Sequence, residues 1–437
     1  MPIYLNSRDP DFTAQFAGFL GTKRESDSDV DDVVAAIITD VRKRGDQAVI
    51  ELTSKFDRLD LAPESLAFSK AEMEEAIARV PAAEAQALEL AAKRIRAYHE
   101  RQKPENAMWQ DDSGAQLGWR WSAVDAAGLY VPGGLASYPS SVLMNAIPAD
   151  VAGVKRLVIC VPTPSGQVNP LVLLAARLSG VETVYRIGGA QAVAAMAYGT
   201  ATIQPVDKIT GPGNAFVAAA KRRVFGHVGI DMIAGPSEIL VIADKDNNPD
   251  WIAVDLLSQA EHDASAQSIL ITDDAAFAVA VTEAVEKRLE TLERREIAGQ
   301  SWRDFGAVIT VENLDQAAAL SNLVAPEHLE LCVAEPEALA DSITHAGAIF
   351  LGAYTPEAIG DYIGGPNHVL PTARSARFSS GLSVLDFMKR TTLAKMTPAA
   401  LAEIGPAAEV LATSEGLQAH GLSVRLRLDQ LNRGQDD

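Results

Sequence analysis

The sequence predicts an α/β protein with two tandem Rossmann-like units, each built on a parallel sheet. From residue 128 to 225, short β-like runs alternate with alanine-rich helical stretches. A second series of apolar runs, again with helical stretches between them, extends from residue 239 to 351. Strands that alternate with helices in this way are typical of a parallel sheet covered by helices on both faces. At 437 residues and 48% hydrophobic, the chain can bury cores of this size.

The segment before the first strand is mainly helical. Residues 1–25 are polar and weakly periodic, and we expect them to form an N-terminal arm. Residues 31–56 and 71–102 are rich in Ala, Glu, Lys and Arg at helical spacing, which predicts long amphipathic helices.

The two predicted units follow each other and meet near Gly235 and Pro236. In the first unit the strands are residues 128–131, 157–161, 184–187 and 208–210, and the helices are residues 141–152, 168–179, 190–198 and 214–225. In the second unit the strands are residues 239–242, 268–271, 307–311, 329–333 and 348–351. Beyond Gly381, further helical patterns and a charged end predict a separate helical tail.

Composition excludes several classes of partner. The formal net charge is −20, which disfavours binding to nucleic acid and to anionic membranes. No apolar stretch approaches the roughly 20 residues that span a bilayer, and the first residues lack the order of a signal peptide. Cys160 and Cys332 both lie in apolar, strand-like runs, where buried thiols are expected. We therefore expect a cytoplasmic protein.

Residues 258–262 (SQAEH) close a predicted helix that opens with Asn248 as cap and Pro249 in the first turn. Gln259 and His262 are three residues apart on this helix, so an amide oxygen and an imidazole can reach one cation. The alternative is a polar helix end at the surface. From these two residues alone, the surface interpretation is favoured.

Other histidines also stand beside carboxylates. Glu327 and His328 follow a proline that can bend the chain, so both can face one pocket although neighbouring strand residues normally point apart. The glycine-rich residues 360–368 contain Asp361 and His368, and residues 415–420 begin with Glu415 and end with His420. Histidine is the commonest metal ligand and titrates near neutral pH, so these pairs favour catalysis over a surface role.

Taken together, these segments resemble the histidinol dehydrogenase family from about residue 31 to 420. The matching segments are GLYVPGG at 128–134, GGAQA at 188–192, DKITGPGN at 207–214, IDMIAGPSE at 230–238, SQAEH at 258–262, PEHL at 326–329, GD at 360–361, NHVLP at 367–371 and EGLQAH at 415–420. The resemblance implies an enzyme that oxidises L-histidinol twice with NAD and finishes histidine biosynthesis.

The resemblance also implies the residues of the site. One zinc ion per subunit would be held by Gln259, His262, Asp361 and His420. Substrate would be bound by Ser237, Glu415, His328 and those four ligands. His328 is the expected base for the hydroxyl proton, and Glu327 the expected activator of the water that hydrates the aldehyde intermediate.

The expected NAD site lacks the usual glycine fingerprint, because no G-x-G-x-x-G follows the first strand of either unit. Glycine-bearing turns instead follow strands at residues 131–134, 188–191 and 211–214, where helix N-termini can accept phosphate. The resemblance maps nucleotide contacts onto Tyr130, Gln191 and Asn214. Tight turns without a ligand are the alternative.

These implications complete the expected domain organisation. The larger domain is expected to comprise residues 26–129 and 236–380 and to carry the metal and catalytic residues. The NAD-binding domain is expected to comprise residues 130–235. Residues 381–437 are expected to be a tail that is exchanged in a homodimer, so that Glu415 and His420 complete the partner's site.

Three alternative functions remain open at this point. A relative that oxidises another small polyol or amino alcohol would keep the ligands and change only the substrate contacts. A zinc hydrolase would use Glu327 to drive water onto an amide or ester, but it needs no dinucleotide crevice. A metal-binding structural protein would leave the Glu327 and His328 pair unexplained.

Overall fold

The computed structural model describes residues 1–21, 30–133, 138–233 and 235–433. The chain divides into two compact units. The large unit comprises Met1–Gln102 and Val124–Phe387, and the small unit comprises Lys103–Ala123 and Met388–Asp437.

The elements are numbered in chain order. The strands are β1 (Ile3–Asn6), β2 (Ala107–Gln110), β3 (Gln116–Ala123), β4 (Ala126–Tyr130), β5 (Arg156–Cys160), β6 (Thr183–Tyr185), β7 (Lys208–Thr210), β8 (Gly229–Ile230), β9 (Glu238–Ala243), β10 (Gln267–Thr272), β11 (Ala307–Thr310), β12 (His328–Cys332), β13 (Ala348–Leu351) and β14 (Met388–Lys395). The helices are α1 (Phe12–Leu20), α2 (Val30–Arg44), α3 (Asp46–Asp57), α4 (Lys70–Ile77), α5 (Ala82–Glu100), α6 (Pro139–Ala152), α7 (Pro170–Leu178), α8 (Gly189–Tyr198), α9 (Ala215–Val224), α10 (Pro249–Ala260), α11 (Ala275–Leu289), α12 (Arg295–Phe305), α13 (Leu314–Val324), α14 (Pro336–Ala340), α15 (Glu357–Tyr362), α16 (Pro398–Ser414) and α17 (Gln418–Arg433).

A five-stranded parallel sheet in the order β6-β5-β4-β7-β8 forms one half of the large unit. Its core includes Val34 of α2, Val193 of α8 and Ile209 of β7, all fully buried. The parallel α/β unit predicted in this part of the chain is therefore confirmed.

A six-stranded parallel sheet in the order β1-β11-β10-β9-β12-β13 forms the other half. Side chains alternate between its faces. Leu240 packs with residues of α1 and α13 on one face, while Val241 packs with residues of α10, α11 and α12 on the other. Because both faces are covered, the central strand β9 is buried at every position and apolar from Ile239 to Ala243, as the second predicted unit requires.

The structure differs from the sequence expectations near the N-terminus. Residues 1–21 do not form a polar arm, because Ile3 to Asn6 pair in parallel with β11 and Phe12, Phe16 and Phe19 are buried. The strand was missed because only Leu5 of its four residues is buried. Residues 22–25 of the predicted arm lie outside the described residues.

The two long predicted helices are each divided. Gly45, with φ of +57°, separates α2 from α3, because a backbone with positive φ cannot continue a right-handed helix. Pro81 precedes α5 and separates it from α4. Helices α2 and α3 also pack on the five-stranded sheet. The expected larger domain instead joined residues 26–129 to residues 236–380, which contain most of the other sheet.

The small unit combines an antiparallel sheet with two helices. Its strands have the order β14-β3-β2, and α16 packs along α17. Residues 103–123 therefore belong with the C-terminal tail, a pairing that no local sequence pattern indicates. Within the described part of the chain, no helix is both long enough and apolar enough to cross a membrane.

Candidate active site and dinucleotide cavity

The polar residues of the candidate active site gather at the amino edge of the six-stranded sheet. Strands β9 and β12 are parallel neighbours, so their first residues, Glu238 and His328, lie at the same edge. Ser237 and Glu327 immediately precede these strands. Gln259 lies near the end of α10, which begins as predicted with Asn248 accepting a hydrogen bond from its first turn.

The hydrogen bonds around His328 define its free nitrogen. The Nδ1 atom lies 3.0 Å from the Glu238 carbonyl oxygen, which can only accept, so Nδ1 carries the proton. The Gln259 amide donates to that same carbonyl at 3.1 Å and to Glu357 Oε1 at 2.9 Å. The His328 Nε2 atom has no hydrogen-bond partner among the described residues and lies 3.7 Å from Asp361 Oδ1. This nitrogen therefore has no partner among the described residues and can exchange a proton with a bound ligand.

Glu327 is buried beside this imidazole. Its Oε2 atom accepts a hydrogen bond of 2.9 Å from the Glu238 backbone and lies 3.7 Å from His328 Nδ1. Burial raises the pKa of Glu327 to about 8, although the positive charge of His328 opposes that rise. A carboxyl group with a pKa near neutrality can exchange a proton with water under physiological conditions.

The charges of the cluster shift its other groups in opposite directions. Burial would lower the pKa of His328, but the carboxylates of Glu357, Glu327 and Asp361 outweigh it and raise that pKa well above its usual value. Burial likewise acts against ionisation of Asp361, yet the neighbouring histidines lower the pKa of Asp361 to about 2. Asp361 is thus a fixed anion, whereas Glu327 can change its protonation state near neutral pH.

Two further acids of this cluster were not singled out from the sequence. Glu357, at the start of α15, is buried, and burial is the main cause that raises its pKa. Glu330 is fully buried on β12 and accepts a 2.6 Å hydrogen bond from the backbone of Glu357. Glu330 is two residues after His328 in an otherwise apolar strand, so both side chains lie on the same face of the sheet. This spacing in the sequence could have identified Glu330 as a member of the cluster.

Three of the expected metal ligands, Gln259, His262 and Asp361, belong to the large unit. Gln259 is fully buried, and its Oε1 atom has no hydrogen-bond partner among the described residues. His262 follows α10 and is exposed to solvent, but desolvation by the protein around its ring lowers its pKa despite the opposing charge of Asp361. An unpartnered amide oxygen, a neutral imidazole and a carboxylate are donors that suit Zn²⁺.

The donor atoms of His328, Glu357 and Asp361 also lie within 4.8 Å of one another. This group shares only Asp361 with the ligand set that the resemblance implies. His420 in α17 and Glu415 after α16 belong to the small unit, where both side chains are exposed. The large unit by itself therefore supplies three of the four implied ligands.

The glycine-rich loop that carries His368 holds Asp361 in place. The Nδ1 atom of His368 lies 2.9 Å from the Asp361 carbonyl oxygen, and its Nε2 atom lies 3.4 Å from Ser141 Oγ. Asn367 donates a 2.6 Å hydrogen bond to the carbonyl oxygen of Met144. These contacts fix the loop on α6 and give His368 a supporting role.

A cavity of about 310 Å³ lies at the carboxyl ends of the five-stranded sheet. Its lining includes Tyr130, Gln191 and Asn214, so the structure brings the three expected nucleotide contacts together. The Tyr130 hydroxyl accepts a 3.1 Å hydrogen bond from the Gly189 backbone, which leaves its proton free to donate. Gly211 has φ of +113°, and a Cβ there would lie 2.0 Å from the Tyr130 carbonyl oxygen, so only glycine fits that turn. Gly134 of the first expected turn lies outside the described residues.

These two regions define the class of protein. A buried histidine surrounded by carboxyl groups at one sheet edge, with a ligand-sized cavity at the carboxyl edge of a second parallel sheet, is the arrangement of an α/β enzyme that uses acid–base chemistry.

Comparison with known proteins gives the family. The family model described as histidinol dehydrogenase matches residues 21–428. A histidinol dehydrogenase of Ruegeria pomeroyi is 77% identical over 99% of this chain and 100% of its own length, and one of Cereibacter sphaeroides is 75% identical with the same coverage. The crystal structure of histidinol dehydrogenase from Elizabethkingia anophelis superposes with a TM-score of 0.95 at 38% identity, covering 99% of both chains. The chain belongs to the histidinol dehydrogenase family.

Proposed function

We propose that the enzyme oxidises L-histidinol to L-histidine through histidinal, in two successive steps that each use one NAD. The observation that carries this proposal is the free Nε2 atom of His328, buried beside Glu327 and Asp361 in a chain of this family. NAD supplies the acceptor for the hydride that leaves the substrate carbon in each step.

His328 acts as the base of the first oxidation. Loss of hydride from an alcohol carbon requires loss of the hydroxyl proton. In the neutral form of the imidazole, the unbonded Nε2 atom can accept that proton while Nδ1 keeps its own, and the raised pKa of His328 makes the ring a strong base. The Glu238 carbonyl holds the ring in this orientation by accepting the Nδ1 hydrogen, and the Gln259 amide donates to the same carbonyl. The product of this step is the aldehyde.

Glu327 prepares the second oxidation. An aldehyde can lose a hydride to form an acid only after water has added to its carbonyl carbon. With a pKa of about 8, Glu327 can take a proton from that water near neutral pH. After His328 has released the proton of the first step to solvent, it removes a proton from the hydrate as the second hydride leaves, which yields the carboxylate.

The proposed ligands of a single zinc ion are Gln259, His262, Asp361 and His420. The unpartnered Gln259 oxygen, the lowered pKa of His262 and the anionic state of Asp361 support this assignment. When bound, zinc would supply a Lewis acid that holds the imidazole and amine nitrogens of histidinol. Ser237 at the same sheet edge and Glu415 of the small unit complete the proposed substrate contacts.

We propose that NAD occupies the cavity at the carboxyl edge of the five-stranded sheet. Asn214 uses its side-chain oxygen to cap α9, which leaves its amide hydrogens available to a ligand. The Tyr130 hydroxyl and the buried Gln191 amide add donors on the same cavity wall. The N-terminus of α8, at Gly188 and Gly189, faces the cavity and suits a pyrophosphate.

We also propose a cytoplasmic homodimer in which the small unit completes the partner's site. The helices of the small unit expose several large apolar side chains that a partner can cover. These are Ile404, Val410, Leu411, Leu417, Leu422 and Leu426. The exposed positions of Glu415 and His420 in that unit fit residues that act on a neighbouring subunit.

The proposal is tested by following NADH absorbance with L-histidinol and Zn²⁺. Wild-type enzyme is expected to form NADH, and His328→Asn to lose at least about a hundredfold in rate because the proton acceptor is gone. A matched variant, His345→Asn, removes a histidine outside the cluster and should keep full activity. No NADH from wild-type enzyme with histidinol would refute the proposed function.

A further inference from the structure

Asp57 is an acid in the dinucleotide cavity whose presence the fold does not explain. It is the last residue of α3 and lines the cavity together with Tyr130 and Gln191. Its Oδ2 atom is shielded from solvent and has no hydrogen-bond partner among the described residues.

The position of Asp57 is unfavourable for the stability of the protein itself. A carboxylate at the C-terminal end of a helix meets the negative end of the helix dipole, which disfavours its charge. Burial adds a desolvation cost and raises the pKa of Asp57. A residue that costs stability in the free protein is typical of a site that a ligand completes.

The surrounding lining indicates what that ligand offers. The cavity is walled by glycine turns, prolines and Phe216, and among the described residues that line it there is no lysine or arginine. A carboxylate accepts hydrogen bonds and repels phosphate. The complementary group is a pair of neighbouring hydroxyls, such as the 2′ and 3′ hydroxyls of a ribose.

We propose that Asp57 accepts hydrogen bonds from the adenosine ribose hydroxyls of the dinucleotide and thereby selects NAD over NADP. This inference rests on the proposed function, since it assumes that the cavity holds NAD. A 2′-phosphate would place two negative charges near Asp57 with no lining cation to offset them. In Rossmann folds an acidic residue likewise hydrogen-bonds the ribose hydroxyl of NAD. Here the acid comes from α3, a helix that precedes the five-stranded sheet in the chain.

The test measures binding directly, by the fluorescence change of NADH and NADPH titrated into the ligand-free protein. Wild-type protein is expected to bind NADH at least a hundredfold more tightly than NADPH. Asp57→Asn should weaken NADH about tenfold or more, because a hydrogen bond to a charged group is lost. It should also bring the two affinities closer together, since the repulsion of the 2′-phosphate is gone.

Asp60→Asn is the matched control, because Asp60 is exposed three residues further on and does not line the cavity. It should change neither affinity. The melting temperature of the ligand-free protein gives a second readout: Asp57→Asn should leave it unchanged or raise it, whereas loss of a structural residue would lower it.

The substitution Asp57→Glu keeps the negative charge but displaces the carboxylate. This variant should bind NADH more weakly than wild type while still excluding NADPH. An NADH to NADPH ratio that is the same in wild type, Asp57→Asn and Asp57→Glu would overturn the inference, and so would tight NADPH binding by wild type. If wild-type protein bound neither cofactor, the proposed function itself would fail, which is a distinguishable result.

Discussion

Replacing Glu327 with glutamine separates the two oxidations. At pH 7 a carboxyl group with a pKa of about 8 is mostly protonated, so the substitution changes little charge in the resting protein. The glutamine oxygen can still accept the hydrogen bond that the Glu238 backbone donates at 2.9 Å. We therefore expect a stability change within about 1 kcal/mol.

The kinetic effect should be much larger and confined to one half of the reaction. A general base contributes about 10² to 10⁴ in rate, or about 3 to 5 kcal/mol, and glutamine cannot take a proton from water. Oxidation of added histidinal should fall by that factor in Glu327→Gln, while the first hydride transfer from histidinol stays within about tenfold of wild type.

Stopped-flow measurement of NADH with histidinol and with histidinal as separate substrates gives both rates. In wild-type enzyme the histidinal rate should rise with pH through about 8, because the ionised carboxylate is the active form, and Glu327→Gln should lose this rise. Glu330→Gln changes a buried acid on β12, the strand that Glu327 precedes, and is the control that should affect both half-reactions alike. Equal losses in the two half-reactions of Glu327→Gln would show that Glu327 does not activate water.

Three further predictions concern the metal, the pH dependence of stability and the assembly. EDTA should abolish turnover, and His262→Asn should lower the zinc content measured by atomic absorption while NADH binding survives; full activity of metal-free enzyme would end the zinc assignment. In metal-free protein, folded Glu327 keeps its proton from pH 4.5 up to about 8 whereas the unfolded chain has lost it, so the contribution of Glu327 to the free energy of unfolding should fall from about pH 4.5 to about pH 8. Urea denaturation at several pH values should show that the free energy of unfolding falls less steeply with pH in Glu327→Gln than in wild type. The same pH dependence in both proteins would contradict the raised pKa of Glu327. Co-expressed His328→Ala and His420→Ala subunits, each inactive alone, should recover about a quarter of wild-type activity if the tails cross over and pairing is random. Mixed dimers with no recovered activity would place His420 in an intrachain site.

The sheets were predictable from the sequence because their strands are buried on both faces. Runs such as residues 239–242 are apolar at every position, and helices with clear caps, such as α10 after Asn248, separate them. Elements without this signature were missed. The edge strand β1 buries only Leu5, and most positions of β3 in the small unit are only partly buried.

The candidate site was predictable only in part. Glu327 and His328 stood out as a polar pair at the start of an apolar strand, and Gln259 by its spacing to His262. Glu357 could not be predicted from the sequence, because it contacts Gln259 and Glu330 only through the packing of α15 against the sheet edge. No local sequence pattern indicates that packing.

The number of NADH molecules formed per histidinol consumed tests the central claim most directly. A single pocket with one base for both hydride steps and a second group for hydration should convert each histidinol to histidine with two NADH and little free aldehyde. The measurement combines NADH absorbance with chromatographic quantification of histidinol, histidinal and histidine at complete turnover. A ratio of two with histidine as product is the expected result, and a ratio of one with accumulated histidinal would contradict the assignment of Glu327 and His328 to a four-electron oxidation.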